Sequence, residues 1–271
     1  MNEENKFLFI GGMHRSGTSA IYNLFGGDPR ISTFVNTGVT ENEGQFLQSV
    51  YPIDKYYGGV GTFALHPEIH LTEASPLITV ARDNLFNHWE PYWDLSKIIL
   101  AEKTPSNLIR SRFLQEVFPR SMFLFVMRHP IASAMATAKW TGAYMTTLIE
   151  NWLTAHEILT NDMKHLEHAE ILRYEDFTVA PQSFEKVFKD LLGFTPQVNW
   201  NSIRAGLNTK YIIRYKKGDF HLNVSGWKRP MKQVRNILET YNIQRKFEER
   251  ANRFGYSFTD PYLLPAVRKS S

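Results

Sequence analysis

Residues 11–19 read GGMHRSGTS, directly behind the apolar run FLFI. Gly11, Gly12 and Gly17 allow the backbone to fold tightly and come close to a ligand. The N–H groups of Ser16–Ser19 would point outward at the start of a helix and form an anion site. Ser16, Thr18 and Ser19 add hydroxyls, and Arg15 adds a cation able to bind an anion through two nitrogens. A plain strand-to-helix turn needs a glycine and one capping hydroxyl, not the whole set. The loop also departs from the triphosphate-binding pattern G-x-x-x-x-G-K-[ST], because Thr18 stands where the lysine belongs. That lysine reaches the β- and γ-phosphates, and an aspartate on another strand helps hold magnesium. Here the other apolar runs end in Glu102-Lys103 and in Arg128. A strand ending in arginine suits phosphate better than a metal, so a nucleotide kinase-like enzyme is the alternative reading.

These residues need elements to position them. Lys6–Ile10, Lys97–Ala101 (KIILA), Ser121–Met127 (SMFLFVM) and Ala169–Tyr174 read as strands. The unbroken apolar run of Ser121–Met127 is what a strand buried on both faces requires. Helical patterns fall at Ser16–Phe25, Asn107–Phe118, Pro130–Trp140, Thr147–Leu166, Pro181–Leu192 and Val234–Phe254. Thr147–Leu166 is the plainest, with Leu148, Trp152, Ala155, Leu159, Met163 and Leu166 at three- and four-residue steps. Strands alternating with helices imply an α/β fold with three layers, a central parallel sheet flanked by helices. Ligands then sit at the carboxyl ends of the strands, where the loop, Glu102–Asn107 and Arg128–Ser133 would converge.

The chain of 271 residues, 43% hydrophobic and 21% charged, suits a single domain over residues 1–271. Its net charge of +4 is scattered, with no block of like charges. That argues against nucleic acid and suits a small polyanion. There is no cysteine, hence no disulfide. No stretch of about 18 apolar residues exists to span a membrane, and no signal peptide is visible. The expectation is a cytoplasmic protein without a membrane partner; a homodimer stays open.

On these residues the chain resembles the sulfotransferases that use 3′-phosphoadenosine 5′-phosphosulfate (PAPS). Their loop [KR]-[ST]-G-[TN]-[TS] is matched by Arg15-Ser16-Gly17-Thr18-Ser19, and their arginine-terminated strand by Phe125-Val126-Met127-Arg128. Their Tyr-Glu-Asp turn is matched by Tyr174-Glu175-Asp176, and a basic-Lys-Gly loop before Gly-x-Trp by Lys216-Lys217-Gly218 and, more loosely, Gly226-Trp227-Lys228. The segment Thr37–Gln48, with Glu43-Gly44-Gln45, is nearer in layout to the tyrosylprotein branch than to the cytosolic one. The resemblance implies a P-loop-like sulfotransferase fold with PAPS as donor, 3′-phosphoadenosine 5′-phosphate (PAP) as product and no metal. It places the 5′-phosphosulfate on the Arg15–Ser19 loop, the adenine against Tyr174, and the 3′-phosphate on Arg128, Lys216, Lys217 and Gly218, with Trp227 nearby. The family serine eight residues after the arginine is Ala136 here, leaving Ser133 or Thr137 to replace it.

Sulfuryl transfer demands in-line positioning, charge stabilisation at the leaving oxygen and a base for the acceptor hydroxyl. Arg15 and Lys103 are the expected cations. Glu43 is the first candidate base and Glu41 the second, lying 28 and 26 residues after Arg15; His70 and Glu73 stand in reserve. The aromatics Phe46, Tyr51, Tyr56, Tyr57, Phe63 and Trp140 are expected at the acceptor, a small molecule in natural-product tailoring. Glu41, Glu43, Asp54 and Glu73 would tolerate a cationic one. Glycan, lipid and peptide acceptors remain alternatives, as does an acceptor amine.

Overall fold

The apolar runs of the sequence become the middle of one sheet in the computed structural model, which describes residues 5–203, 206–220 and 229–263. Its strands are β1 (Lys6–Gly12), β2 (Ile31–Ser32), β3 (Ile99–Lys103), β4 (Ser121–Met127) and β5 (Ala169–Arg173). They pair in the order β2-β3-β1-β4-β5, every pair parallel. The helices are α1 (Thr18–Phe25), α2 (Ile78–Trp89), α3 (Ser111–Val117), α4 (Pro130–Thr141), α5 (Met145–Asp162), α6 (Tyr174–Val179), α7 (Glu185–Leu192), α8 (Thr209–Lys216) and α9 (Arg229–Asn252). β3 and β4 are buried along their whole length, which a parallel sheet covered on both faces requires. Among the described residues no helix is long and apolar enough to cross a membrane.

β1 lies between β3 and β4, with Ile10 opposite Lys103 and Gly12 opposite Val126. The chain leaves β1 toward one side of the sheet and later crosses to the other, so the loop after β1 sits where the strand order reverses. Three residues far apart in sequence, Arg15, Lys103 and Arg128, are thereby brought to one end of the sheet.

Much of the aromatic content is core. Phe7, Phe9, Trp89, Trp93 and Phe118 pack edge and face against one another on one side of the sheet. The indoles also reach outward. Trp89 Nε1 donates to Gly44 O at 3.0 Å, Trp93 Nε1 to Ala101 O at 2.8 Å, and Trp152 Nε1 to Arg128 O at 3.0 Å. A buried indole N–H needs a partner, and here the partners are backbone groups beside the candidate site.

Two of the differences from the expected element boundaries bear on the site. β3 begins two residues later than the reading of Lys97–Ala101 and runs through Glu102 and Lys103. Asp94–Lys97 is taken up by a turn that Asp94 caps through Ser96. Two charged side chains look like a strand's end in a hydropathy pattern, but both are buried here because each finds partners. The helix expected over Asn107–Phe118 is split into a 3-10 turn, Pro105–Ile109, and α3. At the break Arg110 turns inward to Pro52 O and Asp54.

Asp28 closes the turn before β2. It accepts from Arg30 Nη2 at 2.7 Å, Arg30 N at 2.8 Å and Gln197 N at 2.6 Å, tying β2 to the segment after α7. Burial alone would raise this carboxyl, but those hydrogen bonds outweigh it and hold it at about 2, below its ordinary 3.8. A depressed carboxylate contributes stability above its unfolded value and loses it as pH falls through the folded one. Asp28→Asn is therefore expected to cost about 2 kcal/mol near neutrality. In urea unfolding at a series of pH values, the gap between variant and wild type should narrow from pH 4 downward.

Candidate active site

The loop after β1 is built for close approach. Gly17 takes φ +108°, and a Cβ there would lie 2.8 Å from the ring of Tyr174. Tyr174 in turn lies 4.7 Å beneath the Arg128 guanidinium. Arg15 sits in the left-handed region at φ +66°, and its carbonyl accepts from Arg128 Nη1 at 2.6 Å. Arg128 Nε donates to Asn208 Oδ1 at 2.7 Å, leaving Nη2 with no hydrogen bond among the described residues. Burial pulls the Arg128 guanidinium below its ordinary value, and the charge of Arg15 adds slightly to that. The hydroxyl of Ser16 is fully buried with no partner among the described residues.

Each member of Tyr174-Glu175-Asp176 has a distinct place. Asp176 pairs with Arg173 at 2.7 Å. Glu175 accepts from His129 N at 2.9 Å, from Tyr256 OH at 2.9 Å and from the Asn208 amide, so it fixes the residue that orients Arg128. His129 caps α4 by accepting from Ile131 N at 3.2 Å, and burial holds its ring at about 3, a neutral imidazole.

On the other side of the loop lies a buried ion pair, Lys103 Nζ to Glu43 Oε1 at 3.0 Å, with side-chain exposures of 1% and 8%. The neighbouring carboxylate, Glu102, builds this pair's frame. It accepts from Gly44 N at 2.8 Å, Thr104 Oγ1 at 2.6 Å and Asn107 Nδ2 at 2.6 Å, pinning the Glu43–Gln45 segment across the end of β3. The approach leaves no room for a side chain at residue 44, where a Cβ would meet Glu102 Oε1 at 2.6 Å. Gln45 Nε2 donates to Glu43 Oε2 at 2.7 Å and to Asp54 Oδ2 at 3.3 Å. Burial raises the Glu43 carboxyl above its ordinary value, against the pull of Lys103, His14 and Gln45.

His14 was absent from the expected site. Its Nε2 lies 3.9 Å from Asp54 Oδ2, and burial lowers its pKa against the pull of Asp54 and Glu43. Nothing in the loop's spacing points to it, because Asp54 lies forty residues on and meets it only in the folded chain. Asn208 is equally invisible in the sequence, since its partners Arg128 and Glu175 are distant, whereas Gln45 stands out only as part of Glu43-Gly44-Gln45 and its bonds to Glu43 and Asp54 appear only in the fold.

The remaining candidates divide. Glu41, exposed at φ +53°, accepts from Ser19 Oγ at 3.1 Å and so stands at the loop but apart from Lys103. Ser133 is buried on the inner face of α4, lining a small cavity with Met13, His14 and Asn151. Trp140 is 59% exposed and lies 4.3 Å over the Arg15 guanidinium. Phe46 and Tyr51 line a cavity of about 660 Å³ with Gln45, Val50, Ile53 and Tyr57. His70 is bonded to Asp162 at 3.0 Å and Glu73 is paired with Arg112, so neither joins the cluster around Lys103. Lys216 ends α8 with its ammonium 4.9 Å over Tyr262, and Lys217 and Gly218 follow it in the turn. Trp227 lies outside the described residues. Among the described residues no group of three or more His, Asp or Glu side chains is arranged to hold a metal.

Residues 8–193 match the model of the sulfotransferase family. No curated protein sequence matches the chain significantly. Among solved structures, sulfotransferase STF1 from Mycobacterium tuberculosis H37Rv aligns at 13% identity and TM-score 0.46, covering 70% of this chain and 68% of that one. The sulfotransferase domain of the Synechococcus PCC 7002 olefin synthase aligns at 13% and 0.44, covering 87% and 95%. Sulfotransferase STF9 from Mycobacterium avium aligns at 13% and 0.46, covering 89% and 76%. The family match takes in most of the sequence, from within β1 to the turn after α7, and on that ground the chain belongs to the sulfotransferase family.

Proposed function

We propose that this protein transfers the sulfuryl group of PAPS to a hydroxyl of a small neutral acceptor. The observation that carries the reading is the buried Glu43–Lys103 pair, 3.0 Å apart, at the sheet end that also holds the Arg15 loop. The buried hydroxyl of Ser16 and the Nη2 of Arg128, both without a hydrogen-bond partner among the described residues, fit a ligand with anionic groups at both ends. In the step, Glu43 takes the acceptor's proton as the acceptor oxygen bonds to sulfur. The bond from sulfur to the bridging oxygen breaks, and its electron pair stays on the 5′-phosphate of PAP. Lys103 and Arg15 neutralise that developing charge, the contribution that usually dominates. A carboxyl raised by burial is the better base near neutral pH.

The acceptor is read from the cavity beside Gln45, whose walls carry no charged side chain. Three of the four acids expected to welcome a cation are committed elsewhere, Glu43 to Lys103, Asp54 to Arg110 and Glu73 to Arg112, while Glu41 is exposed and accepts from Ser19 Oγ at the loop. A neutral, partly aromatic alcohol or phenol, as in natural-product tailoring, is therefore favoured over a guanidinium compound. PAP is expected to raise the melting temperature, and labelled PAPS should mark neutral phenols or alcohols in an acceptor screen. Magnesium-dependent ATP hydrolysis without PAP binding would put a kinase-like enzyme in its place.

A further inference from the structure

Three cations gather around the ring of Tyr211 at one edge of the candidate site, with no carboxylate in ion-pair reach among the described residues. Arg128 lies 5.8 Å from the centroid of Tyr211, Lys139 Nζ 5.1 Å and Lys210 Nζ 5.1 Å. Arg15 is linked to this group through its carbonyl bond to Arg128. Elsewhere Arg30, Arg82, Arg112, Arg173, Arg214 and Arg250 all pair with carboxylates. Like charges left unneutralised around one buried ring repel each other, and an anion seated among them relieves that repulsion.

The elements explain how they meet. α4 starts at Pro130, directly after Arg128 and His129, and carries Lys139 three residues beyond Ala136, on a related face. α8 packs against α4 and begins at Thr209, next to Asn208, which holds Arg128 Nε. Tyr211 is 7% exposed and forms the floor on which the ammonium groups of both helices rest. Residue 136 has only a methyl to offer.

We propose that Lys139 and Lys210, with Arg128, form the seat of the donor's second phosphate, a cationic clamp between α4 and α8 in place of a hydroxyl at residue 136. This rests on the donor reading above and specifies how the protein selects a nucleotide phosphorylated at two positions. Lys216, by contrast, is turned toward Tyr262, about one and a half turns along α8 from Tyr211. The selective charge thus comes from the start of α8 rather than its end.

Calorimetric binding of PAP and of 5′-AMP separates the two phosphates. Wild type is expected to prefer PAP by more than about 100-fold, Arg128 and both lysines acting together. Lys139→Met and Lys210→Met should each lower PAP affinity by about 3- to 10-fold, and the double variant by about 30-fold, as partly exposed cations do. Binding of 5′-AMP should stay within about twofold, and Lys139→Arg should keep most of the preference. Both lysines are exposed, so the variants should fold; equal melting temperatures confirm it. Unchanged PAP affinity in the double variant, or equal losses for PAP and 5′-AMP, overturns the clamp alone. Wild type that binds neither nucleotide overturns the donor reading with it.

Discussion

Glu43→Gln is expected to lower turnover by about 10²- to 10⁴-fold, the range for removing a general base, while PAP still binds. Two effects should accompany the loss. The ligand-free protein should melt lower, because Lys103 is left buried without its carboxylate; breaking such a pair costs about 3–5 kcal/mol. Bound PAP should restore much of that, since its 5′ anion takes over the neutralisation of Lys103. The pH profile gives a reading that a structural role would not move. Burial raises Glu43 above its ordinary 4.5, so wild-type kcat/KM should fall as pH drops through a value above the usual carboxylate range. The variant should lose that acid limb. Near-normal turnover with a retained acid limb would move the base away from Glu43, and His14, beside Asp54, would be the next group to replace.

The second large effect is on the donor. Arg128→Ala should weaken PAP binding by about 10²-fold or more, from lost charge-assisted hydrogen bonds at about 1.5–3 kcal/mol each and an emptied clamp. Adenosine 5′-phosphosulfate, which lacks the 3′-phosphate, should lose less but not nothing. Arg128 holds the carbonyl of Arg15 at 2.6 Å, so its removal also loosens the loop that seats the 5′ end. Isothermal titration with both nucleotides checks the split. Equal losses would make Arg128 a support for the loop and no more.

Arg15-Ser16-Gly17-Thr18-Ser19, Arg128 and Tyr174 were legible because each needs only a local pattern: glycines and hydroxyls behind an apolar run, or a charge at the end of one. The pairing of Glu43 with Lys103 was legible only as two separate expectations, sixty residues apart. Their meeting depends on Glu102, a carboxylate whose burial inside β3 no hydropathy pattern would suggest. His14 carries no legible role although it lies inside the most informative stretch, since a histidine acquires a role only from what surrounds it. Lys139 and Lys210 carry no signature at all, being ordinary lysines on two helices, one of which the sequence pattern did not reveal.

By itself the sequence determined that strands alternate with helices and that a phosphate-type loop follows the first strand. It also determined that arginine rather than aspartate ends the strand after Phe118. Those are local properties of periodicity, glycine and charge. The tertiary structure decided which carboxylate stands against Lys103, which residues orient Arg128 and where unpaired cations collect. These depend on β1 lying between β3 and β4 and on burial, which sets the cost of every unpartnered charge. Neither quantity is carried by any single stretch of chain.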